Sequence, residues 1–140
     1  RLPFPYTEDD ARTFIDYAVA QQGWNEFCIE IAGEAVGNIS FMRGTDVERF
    51  NAEVGYWLAE PFWNQGIMGE ALQEAMRIYG ENSDIKRWFA QVYEGNRASM
   101  RVLEKVGFRQ VAVLRKACFK NGDFMDLNYF ECLKDECTGK

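Results

Sequence analysis

Between Glu53 and Leu72 the chain reads EVGYWLAEPFWNQGIMGEAL. Gly66 and Gly69 fall where an extended segment gives way to a helical one. That placement suits an anion. The first backbone N–H groups of a helix have no intrahelical partner, and the aligned peptide dipoles put partial positive charge there. Glycine lets a phosphate approach the main chain without meeting a side chain. The loop has neither the Gly-Lys-Ser/Thr ending of a nucleoside-triphosphate loop nor a GxGxxG pattern. Taken alone, it equally suits a plain strand-to-helix connection. Other chemistries are poorly supplied. The chain has no histidine, and Cys28, Cys118, Cys132 and Cys137 form no CxxC pair. Neither a metal site nor a Cys/His nucleophile is expected.

The elements that would position this loop can be read along the chain. Thr7 caps a helix expected from Glu8 to Ala20, with Ala11, Phe14, Ile15 and Ala18 on one face. Phe27 to Ile31 and Ala35 to Met42 read as strands joined at Ala32-Gly33-Glu34. Arg43 to Phe50 is polar and reads as a loop. Glu53 to Ala59 is the next strand. The helix after the glycine loop carries Ala71, Leu72, Ala75, Met76 and Tyr79 on one stripe and is expected to end at Gly80. Ile85 to Tyr93 is a strand rich in aromatic and β-branched residues. Asn96 caps a helix that buries Met100, Leu103 and Val106, with Gly107 in the left-handed position after it and Phe108 folding back. Val111 to Phe119 and Phe124 to Leu133 form a hairpin around Asn121-Gly122. This order predicts an α+β fold with a mixed sheet.

With 140 residues, 47% hydrophobic and 15% aromatic, the chain is expected to be one globular domain over residues 1–140. Its net charge of −6 argues against a nucleic-acid binder and is compatible with a cationic amine substrate. No apolar run is long enough to cross a membrane, and no signal peptide pattern is visible. Free thiols point to a reducing cytosol, so a cytoplasmic protein is expected.

A second block, YEGNRASMRVLEKVGF from Tyr93 to Phe108, gives the first one a context. Together they resemble the GNAT superfamily of acetyl-CoA-dependent N-acetyltransferases, most closely the branch of ribosomal-protein-alanine and spermidine acetyltransferases. The matching pieces are GYWL (Gly55 to Leu58), QGIMGEAL (Gln65 to Leu72), NRAS (Asn96 to Ser99), LEKVGF (Leu103 to Phe108) and a tail block with Leu114, Arg115 and NGDFMDLNYF (Asn121 to Phe130). The resemblance extends from the PFPYTEDDA segment to about Leu133. It implies a mostly antiparallel, twisted sheet flanked by helices, with two central strands splayed into an acetyl-CoA cleft. The family has a further strand and helix before the LPFPYT segment, so an N-terminally incomplete domain is expected.

The resemblance also implies roles. Gln65, Gly66, Ile67, Met68, Gly69 and Glu70 would offer backbone N–H groups to the coenzyme pyrophosphate. Asn64 stands where glycine is frequent, and Gly69 where threonine is frequent. Trp57 and Leu58 would pair their main chain with the pantetheine arm as with an added strand. Asn96 would reach the arm, cap its helix, or both. Many members use a tyrosine as the thiolate's acid where this chain has Leu103, and Ser99 is the substitute expected. Glu53 is the favoured base, with Glu94 and Glu30 as alternates. Tyr93, Tyr129 or Asp126 would line the amine pocket. Lys105 is either a phosphate contact or an ordinary exposed lysine. Trp24, Trp63 and Trp88 are read as packing residues. The expected acceptor is a protein N-terminus or a small amine such as a polyamine or aminoglycoside, with a homodimer among the possible assemblies. The alternative is a non-catalytic acyl-CoA-binding module with the same fold.

Overall fold

The computed structural model describes residues 15–19 and 24–137. Its elements are β1 (Ile15–Val19), β2 (Trp24–Ile31), β3 (Glu34–Arg43), β4 (Asn51–Leu58), α1 (Ile67–Glu81), β5 (Arg87–Tyr93), α2 (Arg97–Val106), β6 (Arg109–Lys120) and β7 (Asp123–Leu133). The strands form one mixed sheet in the order β1-β2-β3-β4-β5-β7-β6. Every neighbouring pair is antiparallel except β4 with β5.

Strand alternation sorts the side chains. On β4 and β5, Ala52, Val54, Trp88, Ala90 and Val92 are buried, in the same cluster as Ile67, Leu72, Ala75, Met76 and Tyr79 of α1 and Leu103 and Val106 of α2. The opposite parity carries Glu53, Trp57, Phe89, Gln91 and Tyr93, which are half-buried or exposed. One face of the sheet is thus a core under two helices, and the other is polar and aromatic.

The expected turns are present. Ala32 and Gly33 take φ of 54° and 83°, and Asn121 and Gly122 take 54° and 82°, the left-handed pairs that two-residue hairpins require. Gly107 at φ 118° closes α2, with Phe108 N donating to Leu103 O at 2.9 Å.

Three readings are corrected. The helix expected from Glu8 to Ala20 lies partly outside the described residues, and Ile15–Val19 is a strand paired with Asn25–Ile29. A ladder partner outweighs the weak helical periodicity of IDYAV. Gly80 does not end α1. It lies inside the last turn, where a Cβ would sit 3.3 Å from the Trp88 ring, and Asn82 caps the helix. Cys132 and Cys137 are joined as a disulfide, with Cα atoms 5.6 Å apart, so the free-thiol reading does not hold for that pair. No described helix is long and apolar enough to cross a membrane.

Candidate active site

The cleft begins where β4 and β5 part. Their ladder covers only Asn51↔Arg87, Ala52↔Trp88 and Glu53↔Phe89. Beyond it β4 continues against β3 as far as Leu58, and β5 against β7 as far as Tyr93. Their facing edges are therefore unpaired with each other. The direction of the β4 main chain follows from two bonds. Phe50 O accepts Lys86 N at 2.8 Å on the β5 side, and Ala59 N donates to Val36 O at 2.8 Å on the β3 side. Alternation, with the Val54 N–H used by the last ladder pair, then turns the C=O of Val54 and the N–H and C=O of Tyr56 and Leu58 toward the open edge.

This corrects the reading of Trp57. Its carbonyl lies on the β3 side, 2.8 Å from where a Cβ on Gly37 would stand. Leu58 does face the opening, and its carbonyl accepts Trp63 Nε1 at 2.6 Å. Trp63 is 54% exposed, so it is a polar contact at the cleft mouth and not a packing residue. Trp88 is buried, as read.

The open edge leads to the N-terminus of α1. Asn64 and Gly66 both take positive φ, 63° and 75°. Asparagine tolerates that region better than most residues, which explains how it can stand in a glycine's place. Gln65 Nε2 braces the loop on Pro61 O at 3.1 Å. Glu70 N donates to Gly66 O at 3.2 Å and starts the α1 ladder. Glu70 is thus removed from the set of outward donors, and Ile67, Met68 and Gly69 keep N–H groups outside the ladder. A Cβ on Gly66 would meet nothing within 4 Å, and one on Gly69 would meet only Lys105 Cδ at 4.0 Å. Lys105 of α2 therefore stands beside the helix terminus.

At the start of α2, Asn96 Oδ1 accepts Ser99 N at 3.2 Å, which is the capping role. Ser99 faces β4, where its Oγ lies 2.6 Å and its carbonyl oxygen 3.1 Å from Tyr56 Oη. Burial raises the Tyr56 phenol above its ordinary pKa, and the Ser99 contact works against that. Sequence reasoning missed Tyr56. It was visible only as one letter of GYWL, and nothing local links it to a helix in a later segment.

Glu53 sits on the other face, at the last β4–β5 pair. Its Oε2 accepts Gln91 Nε2 at 2.9 Å. Burial raises its carboxyl above the usual glutamate value, partly offset by the Gln91 hydrogen bond. Phe89 and Tyr129 stack beside it at 6.3 Å between ring centroids. The alternates are placed differently. Glu94 Oε1 accepts Asp126 N at 2.9 Å, and Asp126 Oδ1 accepts Lys116 N at 2.9 Å where β6 bulges. Both carboxylates are tied to main-chain groups of the β5–β7–β6 end. Glu30 lies on β2, two strands away from the opening. Leu103, at the usual acid position, is fully buried.

Residues 1–109 match the acetyltransferase (GNAT) domain family. The chain belongs to that family. A ribosomal-protein-serine acetyltransferase of Escherichia coli K12 is 32% identical over 137 residues, covering 94% of this chain and 75% of the relative. The putative ribosomal N-acetyltransferase YdaF of Bacillus subtilis 168 is 32% identical over 108 residues, covering 77% of this chain and 58% of its own length. Among solved structures, the ribosomal L7/L12 α-N-protein acetyltransferase RimL, in complex with coenzyme A, superposes with a TM-score of 0.74 at 31% identity. That match covers 81% of this chain and 63% of RimL, so the chain spans less than two thirds of that relative. The GNAT fold expected from the sequence is the fold found.

Proposed function

We propose that this chain is an acetyl-CoA-dependent N-acetyltransferase that acetylates a primary amine, foremost the terminal amine of a ribosomal protein. The observation that carries the reading is the splay of β4 from β5 beyond Glu53, with an outward main-chain edge running to the α1 N-terminus. Pantetheine amides can pair with Val54, Tyr56 and Leu58 as an added strand would. The pyrophosphate can take the outward N–H groups of Ile67, Met68 and Gly69, with Lys105 alongside. The family membership and the activities for which the relatives are named support the same reading.

The chemistry needs a neutral amine, which a base supplies, and stabilisation of an oxyanion and a departing thiolate. Glu53 can take the ammonium proton, directly or through water, from the polar face. A β4 N–H can bind the oxyanion. Ser99, on the helix face, can offer its O–H to sulfur. Attack and departure then occur from opposite faces of the sheet.

The test is the thermal midpoint with and without acetyl-CoA, followed by acetyl transfer to peptides bearing ribosomal-protein N-termini and to small amines. Saturation at about 100 times Kd should stabilise by roughly 2.7 kcal/mol and raise Tm by several degrees. A shift with transfer to peptides supports the proposal in full. A shift without transfer across the panel leaves only an acyl-CoA-binding module. No shift would overturn the coenzyme site.

A further inference from the structure

Tyr56 and Ser99 share two hydroxyl protons among three neighbouring oxygens. Tyr56 Oη lies 2.6 Å from Ser99 Oγ and 3.1 Å from the Ser99 carbonyl oxygen. Each hydroxyl has one proton to donate. At 2.6 Å one of these protons must lie between the two hydroxyl oxygens, so two arrangements follow. In one, Tyr56 donates to the carbonyl and Ser99 donates back to Tyr56. In the other, Tyr56 donates to Ser99 Oγ and the Ser99 proton turns outward. Only the second leaves Ser99 with a proton for a ligand.

We propose that Tyr56 is a positioning residue for acetyl transfer, donating to Ser99 Oγ so that the Ser99 proton is held toward the departing thioester sulfur. This rests on the acetyltransferase reading above. Three observations carry it. The Tyr56 main chain faces the open edge of β4, so the hydroxyl is tied to the strand on which the thioester would lie. Leu103, fully buried at the usual acid position, offers no hydroxyl. The pair bridges β4 and α2 across the helix face of the cleft, where no other described side-chain hydroxyl makes such a contact. A hydroxyl that accepts a hydrogen bond also becomes a better donor.

The step balances without consuming either hydroxyl. The amine lone pair forms the C–N bond, the C–S bond breaks with its electron pair on sulfur, and the Ser99 hydrogen bond stabilises the thiolate. The nitrogen loses one proton before attack and a second as the tetrahedral intermediate collapses, both through Glu53 or water. The thiolate takes up one proton from water, and the other passes to solvent. Tyr56 and Ser99 finish with the protons they began with.

The test compares Tyr56→Phe, Ser99→Ala and the double variant, each with its acetyl-CoA thermal shift measured beside its kinetics. Tyr56→Phe keeps the ring and removes only the donor. Each single change should lower kcat about 10- to 100-fold, with the thermal shift and the KM for acetyl-CoA unchanged. The double variant should be no slower than Ser99→Ala by more than about 2-fold, because the two hydroxyls act in series. Losses that multiply, a Tyr56→Phe variant as fast as wild type, or one that loses the acetyl-CoA shift would each overturn the inference while the acetyltransferase reading stands. A wild-type protein with no transfer to any acceptor would instead sink that reading, and this inference with it.

Discussion

Because burial raises the Glu53 carboxyl, its proton leaves at higher pH than that of an exposed glutamate. A base works deprotonated, so kcat/KM should rise with pH through an acid limb set by Glu53. Gln91 donates to the carboxylate and holds the value down, so Gln91→Ala should move that limb to higher pH. Glu53→Gln should remove it together with most of the rate. A limb that survives Glu53→Gln would assign the base elsewhere. Stability follows with the opposite sign. The folded carboxyl keeps its proton to higher pH than the unfolded one, so its contribution weakens as pH rises from the unfolded value of 4.5 through the raised folded value. Glu53→Gln should therefore match wild-type stability below that window and equal or exceed it above. Leu103 offers a second test. It is fully buried between the helices and the sheet, so restoring the family's tyrosine with Leu103→Tyr should overpack the site and cost about 1–3 kcal/mol in urea unfolding. A variant as stable as wild type would show room that the packing denies. The Asn96 cap and the glycine turn before α1, each with a motif around it, were legible in the sequence. Tyr56 and Gln91 were not, because their partners are brought near only by the sheet.

The elements follow local chemistry where local chemistry is strong. Asn121-Gly122 and the Gly107-Phe108 ending were readable because positive φ and a helix stop each demand particular residues. Gly80 misled because glycine also serves close packing, and only the fold shows the Trp88 ring beneath it. The helix expected from Glu8 failed at Ile15–Val19 because a five-residue stretch can satisfy either periodicity and strand pairing decides. Trp57 was misassigned for a related reason. Which main-chain groups face the opening depends on the β3 register, and no residue type records that. Ala32 is a local choice at odds with its conformation. At φ 54° it stands where asparagine or glycine is preferred. Ala32→Asn should stabilise by about 0.5–1 kcal/mol, raising Tm by about 2–4 °C per kcal/mol, with no change in acetyl-CoA binding. A fall in Tm would mean that the β2–β3 turn needs its alanine for another contact.

At the scale of the molecule, the sheet is continuous except along the upper half of the β4–β5 boundary. A coenzyme arm paired there would act as the missing strand, so binding and sheet completion would be one event. The main-chain direction of β4 makes this specific. Gly55 and Trp57 turn their N–H groups to β3, inside an antiparallel ladder that exists without ligand. Tyr56 and Leu58 turn theirs to the opening. Amide hydrogen exchange should therefore alternate along β4 in the free protein, slow at Gly55 and Trp57 and faster at Tyr56 and Leu58. Saturating acetyl-CoA should slow the second set beyond the general slowing that any stabilising ligand produces, and bring it toward the first. Ile67, Met68 and Gly69 should slow with them if the pyrophosphate takes the α1 N-terminus. The measurement separates two ways of binding. Protection confined to Ile67–Gly69 would mean that the coenzyme is held by its phosphates alone, with the arm free of the strand. Protection that also alternates on β4 would place the thioester between Glu53 on one face and the Tyr56–Ser99 pair on the other.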